Sequence, residues 1–100
     1  MADDRTEILL CCLLWAREGE AAGLTAYEDS VLALVPEHDG AVLQRAQGDG
    51  SAGHPHEVQL YRFASQTALD SYLIDPRRTS LADERDRVIE RTELFPVRCR

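Results

Sequence analysis

The stretch Ile8–Ala16, ILLCCLLWA, decides the fold because it is apolar throughout its nine residues. An amphipathic helix would show a polar stripe, and none is present, so the run predicts a strand that is covered on both faces. A membrane helix needs about twenty apolar residues. The segment at 2–7, ADDRTE, also lacks the basic start of a secretory signal. We therefore expect a cytoplasmic protein that does not enter a membrane.

Composition restricts the class of protein further. The 100 residues are 44% hydrophobic and 29% charged, which is typical of one globular domain spanning 1–100. The net charge of −7 argues against nucleic acid as a partner, because phosphate binding needs a basic surface. Three cysteines, Cys11, Cys12 and Cys99, do not form a disulfide framework and are expected to be small apolar side chains.

Beyond the first strand, helix and strand patterns alternate. Leu24, Tyr27 and Val31 recur at helical spacing, with Glu28 mostly off that stripe, and Pro36 is expected to end the helix. The remaining pattern predicts a strand at 41–46, a glycine-rich loop at 47–55, a strand at 57–63, a helix from Ser65 that Asp75-Pro76 divides from a second piece running to Glu90, and a last strand at 92–99.

The predicted order is β-α-β-β-α-β, an α+β fold of the ferredoxin-like type. Right-handed crossovers turn this order into a four-stranded antiparallel sheet with the helices on one face. The first and third strands become central, and the second and fourth strands lie at the edges. Pro96 in the last strand agrees with that order, because proline is tolerated on an edge strand.

The first strand also predicts a homodimer. Its two alternating sets of side chains are both apolar, so the face that lacks helices needs cover as well. A second copy is the simplest cover, since two-fold self-association is the commonest closed symmetry. The alternative is a monomer in which the glycine-rich loop or the termini shield that face.

The chain resembles the dimeric α/β-barrel superfamily, closest to its uncharacterised small bacterial members and more distantly to antibiotic-biosynthesis monooxygenases. The likeness covers roughly 27–97 and rests on YEDSVLALVPEHDG at 27–40 and EVQLYRFASQTALDSYLIDPRR at 57–78. The resemblance implies a strand with an aromatic or acidic side chain that leads into a helix whose last turn faces a cavity. In this chain the corresponding residues are Tyr61-Arg62-Phe63, followed by Tyr72 and Asp75-Pro76-Arg77-Arg78. This sequence has Tyr72 where active relatives tend to place His, and Arg62 where an acid is common.

Tyr61, Arg62 and Tyr72 are the predicted ligand-binding residues. Aromatic side chains with polar ends could line a pocket for a flat organic molecule, and Arg62 would anchor a carboxylate or phenolate. The alternative is that the rings are core and Arg62 pairs with Glu57 or a helix acid. We expect Trp15 and Tyr27 to be core.

Other candidates are weaker. His54 and His56 could share one side of a strand, but a metal site needs further ligands, so neither a metal nor a cofactor is predicted. Arg77 and Arg78 are expected to be structural. We expect a protein that binds a small organic ligand or has no dedicated chemistry, with no catalytic residue assigned. The alternatives are a cofactor-independent monooxygenase or isomerase acting on an aromatic or polyketide-like substrate, and an accessory domain that assembles with other proteins.

Overall fold

A computed structural model of the protein describes residues 6–98. Cys99 and most of the segment at 2–7 lie outside the described residues. The elements are β1 Ile8–Ala16, α1 Ala21–Leu32, β2 Gly40–Gln47, β3 Glu57–Phe63, α2 Gln66–Leu73, α3 Pro76–Thr79, α4 Ala82–Val88 and β4 Ile89–Pro96, with short 3₁₀ turns at Val35–His38 and Ser51–Gly53. No helix within residues 6–98 is long and apolar enough to cross a membrane.

The four strands form one antiparallel sheet in the order β2-β3-β1-β4. This confirms the predicted α+β class and the predicted strand order. β1 and β3 are central, so Pro96 lies on an edge strand, pairing with Leu10. At this position a proline costs no hydrogen bond to an inner neighbour.

Several element ends differ from the prediction. α1 ends at Leu32, and Pro36 lies inside the 3₁₀ turn that follows. The second helical region is divided into three pieces, and its last piece stops at Val88, two residues before the predicted end. Ile89 already has extended backbone angles and pairs with Ala16. The helical and strand patterns overlap there because Val88 and Ile89 are both buried.

The core lies between one face of the sheet and the helices. β1 contributes Leu10, Cys12 and Leu14 to it, each at most 5% exposed. From β3, Phe63 is fully buried and its ring lies 5.4 Å from that of Tyr72, between centroids. Successive strand residues point to opposite faces, so the remaining β1 side chains must point away from the helices.

That opposite face carries apolar side chains that remain partly exposed. The β1 residues Leu9, Cys11, Leu13 and Trp15 are intermediate in burial, and both Cys11 and Cys12 are free thiols. In register with Cys11 lie Leu60 on one side and Phe95 on the other, and Phe95 is 38% exposed. The glycine-rich loop covers only one end, where the Trp15 indole donates a hydrogen bond to the Gly53 carbonyl at 2.8 Å.

Candidate functional site

A cavity of about 320 Å³ opens between the helix-covered face of the sheet and the helices. Three phenol rings lie in its wall, contributed by Tyr27 of α1, Tyr61 of β3 and Tyr72 of α2. The charged and amide groups in the wall are Glu28, Gln59, Arg78 and Arg85. The cavity therefore combines aromatic surface with a few polar groups, which is typical of small-molecule sites.

The structure brings Tyr61 and Tyr72 together at this cavity. Phe63 packs between them, with ring centroids 5.9 Å from Tyr61 and 5.4 Å from Tyr72. The Tyr72 hydroxyl donates a hydrogen bond to the Val31 carbonyl at 3.2 Å. Burial raises the pKa of Tyr72 to about 12 and raises the pKa of Tyr61 further above its usual value. Both phenols are therefore protonated at neutral pH.

Arg62 does not line this cavity, so its predicted grouping with Tyr61 and Tyr72 is wrong. It follows Tyr61 directly on β3, and adjacent strand residues point to opposite faces. Its guanidinium Nη1 lies 3.2 Å from Glu7 Oε2 at the surface, and its side chain is 41% exposed. Trp15 is also on that face, beneath the guanidinium of Arg91. Tyr27 is core as expected, and it is part of the cavity wall as well.

Arg78 is one of the two arginines in the cavity wall, whereas the sequence had predicted a structural role for it. Its guanidinium carbon lies 5.0 Å from the centroid of the Tyr72 ring, and Nη1 donates to the Leu73 carbonyl at 3.3 Å. Its Nε is buried without a hydrogen-bond partner. Among residues 6–98, no carboxylate lies within ion-pair distance of Arg78. Arg78 is thus a cation with an unused donor beside a cavity.

Its neighbour Arg77 is structural, as predicted. Arg77 Nη2 lies 2.8 Å from Asp75 Oδ2 and 3.0 Å from Glu37 Oε1 at the surface. The Asp75 side chain also accepts a hydrogen bond from the Arg77 backbone amide at 2.8 Å, which caps α3. Because successive helical residues point about 100° apart, one arginine faces solvent and the next faces the cavity.

The acid in the cavity wall is Glu28, and it is only 5% exposed. The prediction that Glu28 lies mostly off the apolar stripe of α1 is wrong, because Glu28 follows Leu24 by four residues and shares its face. Its Oε1 accepts a hydrogen bond from Gln59 Nε2 at 2.8 Å. Burial raises the pKa of Glu28, the Gln59 hydrogen bond opposes that rise, and the nearby charge of Glu57 adds to it.

A hydrogen-bond network of Gln59, Glu57 and Arg45 holds the Glu28 carboxylate. Gln59 Nε2 also donates to Glu57 Oε2 at 2.8 Å, so one amide bridges two carboxylates. Glu57 is fully buried and accepts a further hydrogen bond from Arg45 Nε at 2.7 Å. One signal of this network was visible in the sequence. Glu57, Gln59 and Tyr61 are two residues apart on β3, so their side chains share one face of the sheet. Because the aromatic residues of that face were expected to point inward, the two polar side chains had to be buried with them and to need hydrogen-bond partners.

The three histidines do not line the cavity. His38 accepts or donates hydrogen bonds on both ring nitrogens, through Nδ1 with Ser71 and through Nε2 with Asp75 Oδ2 at 2.8 Å. His56 Nδ1 accepts a hydrogen bond from the Ala16 amide at 3.0 Å, whereas His54 is exposed. Within residues 6–98, no group of three or more His, Cys, Asp or Glu side chains could hold a metal ion.

The sheet, helices and cavity define a ferredoxin-like α+β protein, and solved structures confirm the resemblance at the level of fold. A Rhodopseudomonas palustris protein of unknown function superimposes with a TM-score of 0.75 at 18% identity, covering 93% of this chain and 82% of that chain. A Bacteroides protein with a provisional assignment as an antibiotic biosynthesis monooxygenase gives 0.74 at 12% identity, covering 94% and 90%.

A third solved structure of this fold is described as that of a dimeric protein. A Bacteroides fragilis protein of unknown function, described as dimeric and ferredoxin-like, gives a TM-score of 0.69 at 8% identity, covering 93% of this chain and 96% of that chain. No protein-family model matches the sequence, and no curated protein matches it. At these identities the likeness establishes the fold alone.

Proposed function

We propose that this protein binds a small, flat organic molecule carrying an acidic oxygen in the cavity between sheet and helices. The observation that carries the proposal is Arg78, which lines the cavity with a buried, unpartnered Nε and no carboxylate partner among residues 6–98. A carboxylate or phenolate oxygen would satisfy this donor with a charge-assisted hydrogen bond.

The size and wall of the cavity support an aromatic ligand. A volume of about 320 Å³ lies at the lower end of small-molecule sites, about 300–1,000 Å³, so one or two fused rings fit better than a larger scaffold. The Tyr27, Tyr61 and Tyr72 rings offer flat apolar surface for such a ligand. The protonated phenols of Tyr61 and Tyr72 act as neutral groups, which leaves the charge recognition to the arginines.

Titration of the protein with 2-naphthoate tests this proposal. The probe has two fused rings and one carboxylate, and its own fluorescence changes when it leaves water. We expect saturable binding with one site per chain. The change in 2-naphthoate fluorescence and the heat of binding measured by calorimetry should give the same dissociation constant. An absence of binding at millimolar 2-naphthoate would contradict the proposal.

We further propose that two copies pair through the helix-free face of the sheet. Leu9, Cys11, Leu13, Leu60 and Phe95 point to this face and remain partly exposed in the single chain. Apolar burial contributes about 25 cal/mol per Å², so covering such a row stabilises a dimer by several kcal/mol. The Bacteroides fragilis protein of this fold is described as dimeric, which supports self-association by analogy of fold.

The second candidate function is a cofactor-independent monooxygenase or isomerase acting on an aromatic or polyketide-like substrate. Glu28 favours it, because a buried acid with a raised pKa in a ligand-sized cavity suits proton transfer. Arg62, the anchor first predicted for a ligand's carboxylate or phenolate, pairs with Glu7 at the surface, whereas Arg78 lines the cavity and offers a replacement. Oxygen uptake in a closed electrode cell with 1-hydroxy-2-naphthoate tests the oxygenase activity. Exchange of carbon-bound hydrogen in a ketone substrate for deuterium from the solvent tests the isomerase activity.

A further inference from the structure

We propose that Glu28 is a general base that removes a proton from the carbon beside a carbonyl group of the bound molecule, while Arg78 receives the enolate oxygen. The inference rests on the proposed ligand-binding function and names the substrate class of that site, an enolisable aromatic ketone or keto acid. It uses two groups of opposite charge that line one cavity without forming an ion pair with each other.

The geometry of Glu28 suits a base. Its Oε1 accepts a hydrogen bond from Gln59 Nε2 at 2.8 Å, which is the one side-chain hydrogen bond of this carboxylate among residues 6–98 and leaves Oε2 open. Glu28 lines the cavity and also lacks a cation within ion-pair distance in that part of the chain. One oxygen is therefore fixed for orientation, and the other is left to act on a ligand.

The network beneath Glu28 holds its carboxylate in place. The Gln59 amide is itself fixed, because it donates to both Glu28 and Glu57. Glu57 is fixed in turn by Arg45, whose Nη1 reaches Asp29 at 2.7 Å. A base whose position is set by hydrogen bonds behind it needs little rearrangement when it takes a proton.

The cavity supplies a place for the developing negative charge. Arg78 has its Nε free, and its guanidinium lies over the Tyr72 ring, which limits its motion. A positioned cation in a partly buried site stabilises an oxyanion more than it would in water. The charge of Arg78 also favours the ionised form of Glu28 and so opposes part of the rise in the pKa that burial causes.

The proton and electron balance requires no co-reactant. The carbon–hydrogen bond beside the carbonyl breaks, and the proton moves to Oε2 of the Glu28 carboxylate. The electron pair of that bond forms a carbon–carbon double bond, and the carbonyl oxygen becomes an enolate oxygen next to Arg78. Return of the proton from Glu28 to the same carbon regenerates the ketone, whereas return to a conjugated carbon moves the double bond.

Hydrogen–deuterium exchange into 2-tetralone tests the step. This bicyclic ketone has an enolisable position whose loss of protium is followed by proton NMR in D₂O. A companion probe, 2-naphthol, is the aromatic analogue of its enol and reports binding alone. We expect the wild-type protein to accelerate exchange and Glu28→Gln to lower that acceleration by about 100-fold or more, while 2-naphthol binding stays within a few fold. Glu28→Asp, which shortens the side chain, should retain part of the exchange.

Controls separate the two proposals. Glu18→Gln removes an exposed acid from a surface turn and should leave both readouts unchanged. If 2-naphthol binds but the wild type does not accelerate exchange, or if Glu28→Gln exchanges as fast as the wild type, the base assignment is overturned and ligand binding stands. If neither 2-tetralone nor 2-naphthol binds, the base assignment is overturned, and if 2-naphthoate also fails to bind, the ligand-binding proposal is overturned with it. Circular dichroism and thermal melting of each variant show whether it is folded.

Discussion

Replacing Leu13 with Asp on the helix-free face should convert the proposed dimer to a monomer. Leu13 lies on the central strand β1, in register with Val58 and Glu93, and its side chain points away from the helices. A two-fold axis makes one substitution act twice, once on each protomer. Each lost leucine removes about 1.5–3 kcal/mol of apolar burial, so the dimer loses about 3–6 kcal/mol. The dissociation constant should therefore rise by about 10²–10⁴-fold.

Light scattering on a size-exclusion column measures this directly. Wild type at micromolar concentration should have twice the 11.2 kDa mass of the chain, and Leu13→Asp should have the mass of one chain. Ile74→Asp is the matched control, because Ile74 is 73% exposed on the helix side and the same change there leaves the sheet untouched. A monomeric wild type, or a Leu13→Asp protein that still dimerises with native affinity, would refute the reasoning.

Two further predictions concern pH and stability. Burial raises the pKa of Glu28, so the folded state disfavours the ionised carboxylate. Glu28→Gln removes that ionisable group, and it should therefore raise the melting temperature. The gain should be small below about pH 4, where the carboxyl is protonated in both states, and should grow as the pH rises toward neutrality. Hydrogen bonds from Arg77 and then His38 hold the pKa of Asp75 below its usual range. The stability that Asp75 adds is therefore present above about pH 4 and is lost below it, so Asp75→Asn should lower the melting temperature at pH 7 and matter less in acid. Calorimetric melts across pH 3–9 check both, and differences independent of pH would contradict them.

Local patterns predicted most of the fold. The doubly apolar β1 and the alternation of β3 identified the central strands, and the strand order followed from the crossover rule. The errors lie where two patterns overlap. Val88 and Ile89 satisfy an inward-facing helix as well as a buried strand, so the residues alone did not show where α4 ends.

The candidate site was predicted less completely, for a physical reason. Tyr61 and Tyr72 could be named because aromatic residues at strand and helix spacing point inward. Arg62 was misplaced although strand alternation already assigned it to the other face. Arg78 belongs to the turn that the resemblance placed beside a cavity, yet it was predicted to be structural, because its direction depends on how Asp75 caps α3 and on the short length of that helix. Neither fact follows from residue type alone.

The central claim, an acidic ligand held by Arg78, is tested most directly by a double-mutant cycle that pairs protein and ligand changes. Binding of 2-naphthoate and of its uncharged amide is measured by calorimetry for wild type, Arg78→Gln and the surface control Arg77→Gln. A charge-assisted hydrogen bond contributes about 1.5–3 kcal/mol, so wild type and Arg77→Gln should prefer the carboxylate by about 10- to 140-fold. Arg78→Gln should bind both probes about equally. Equal affinity of wild type for the two probes, or loss of the preference in Arg77→Gln alone, would contradict the account.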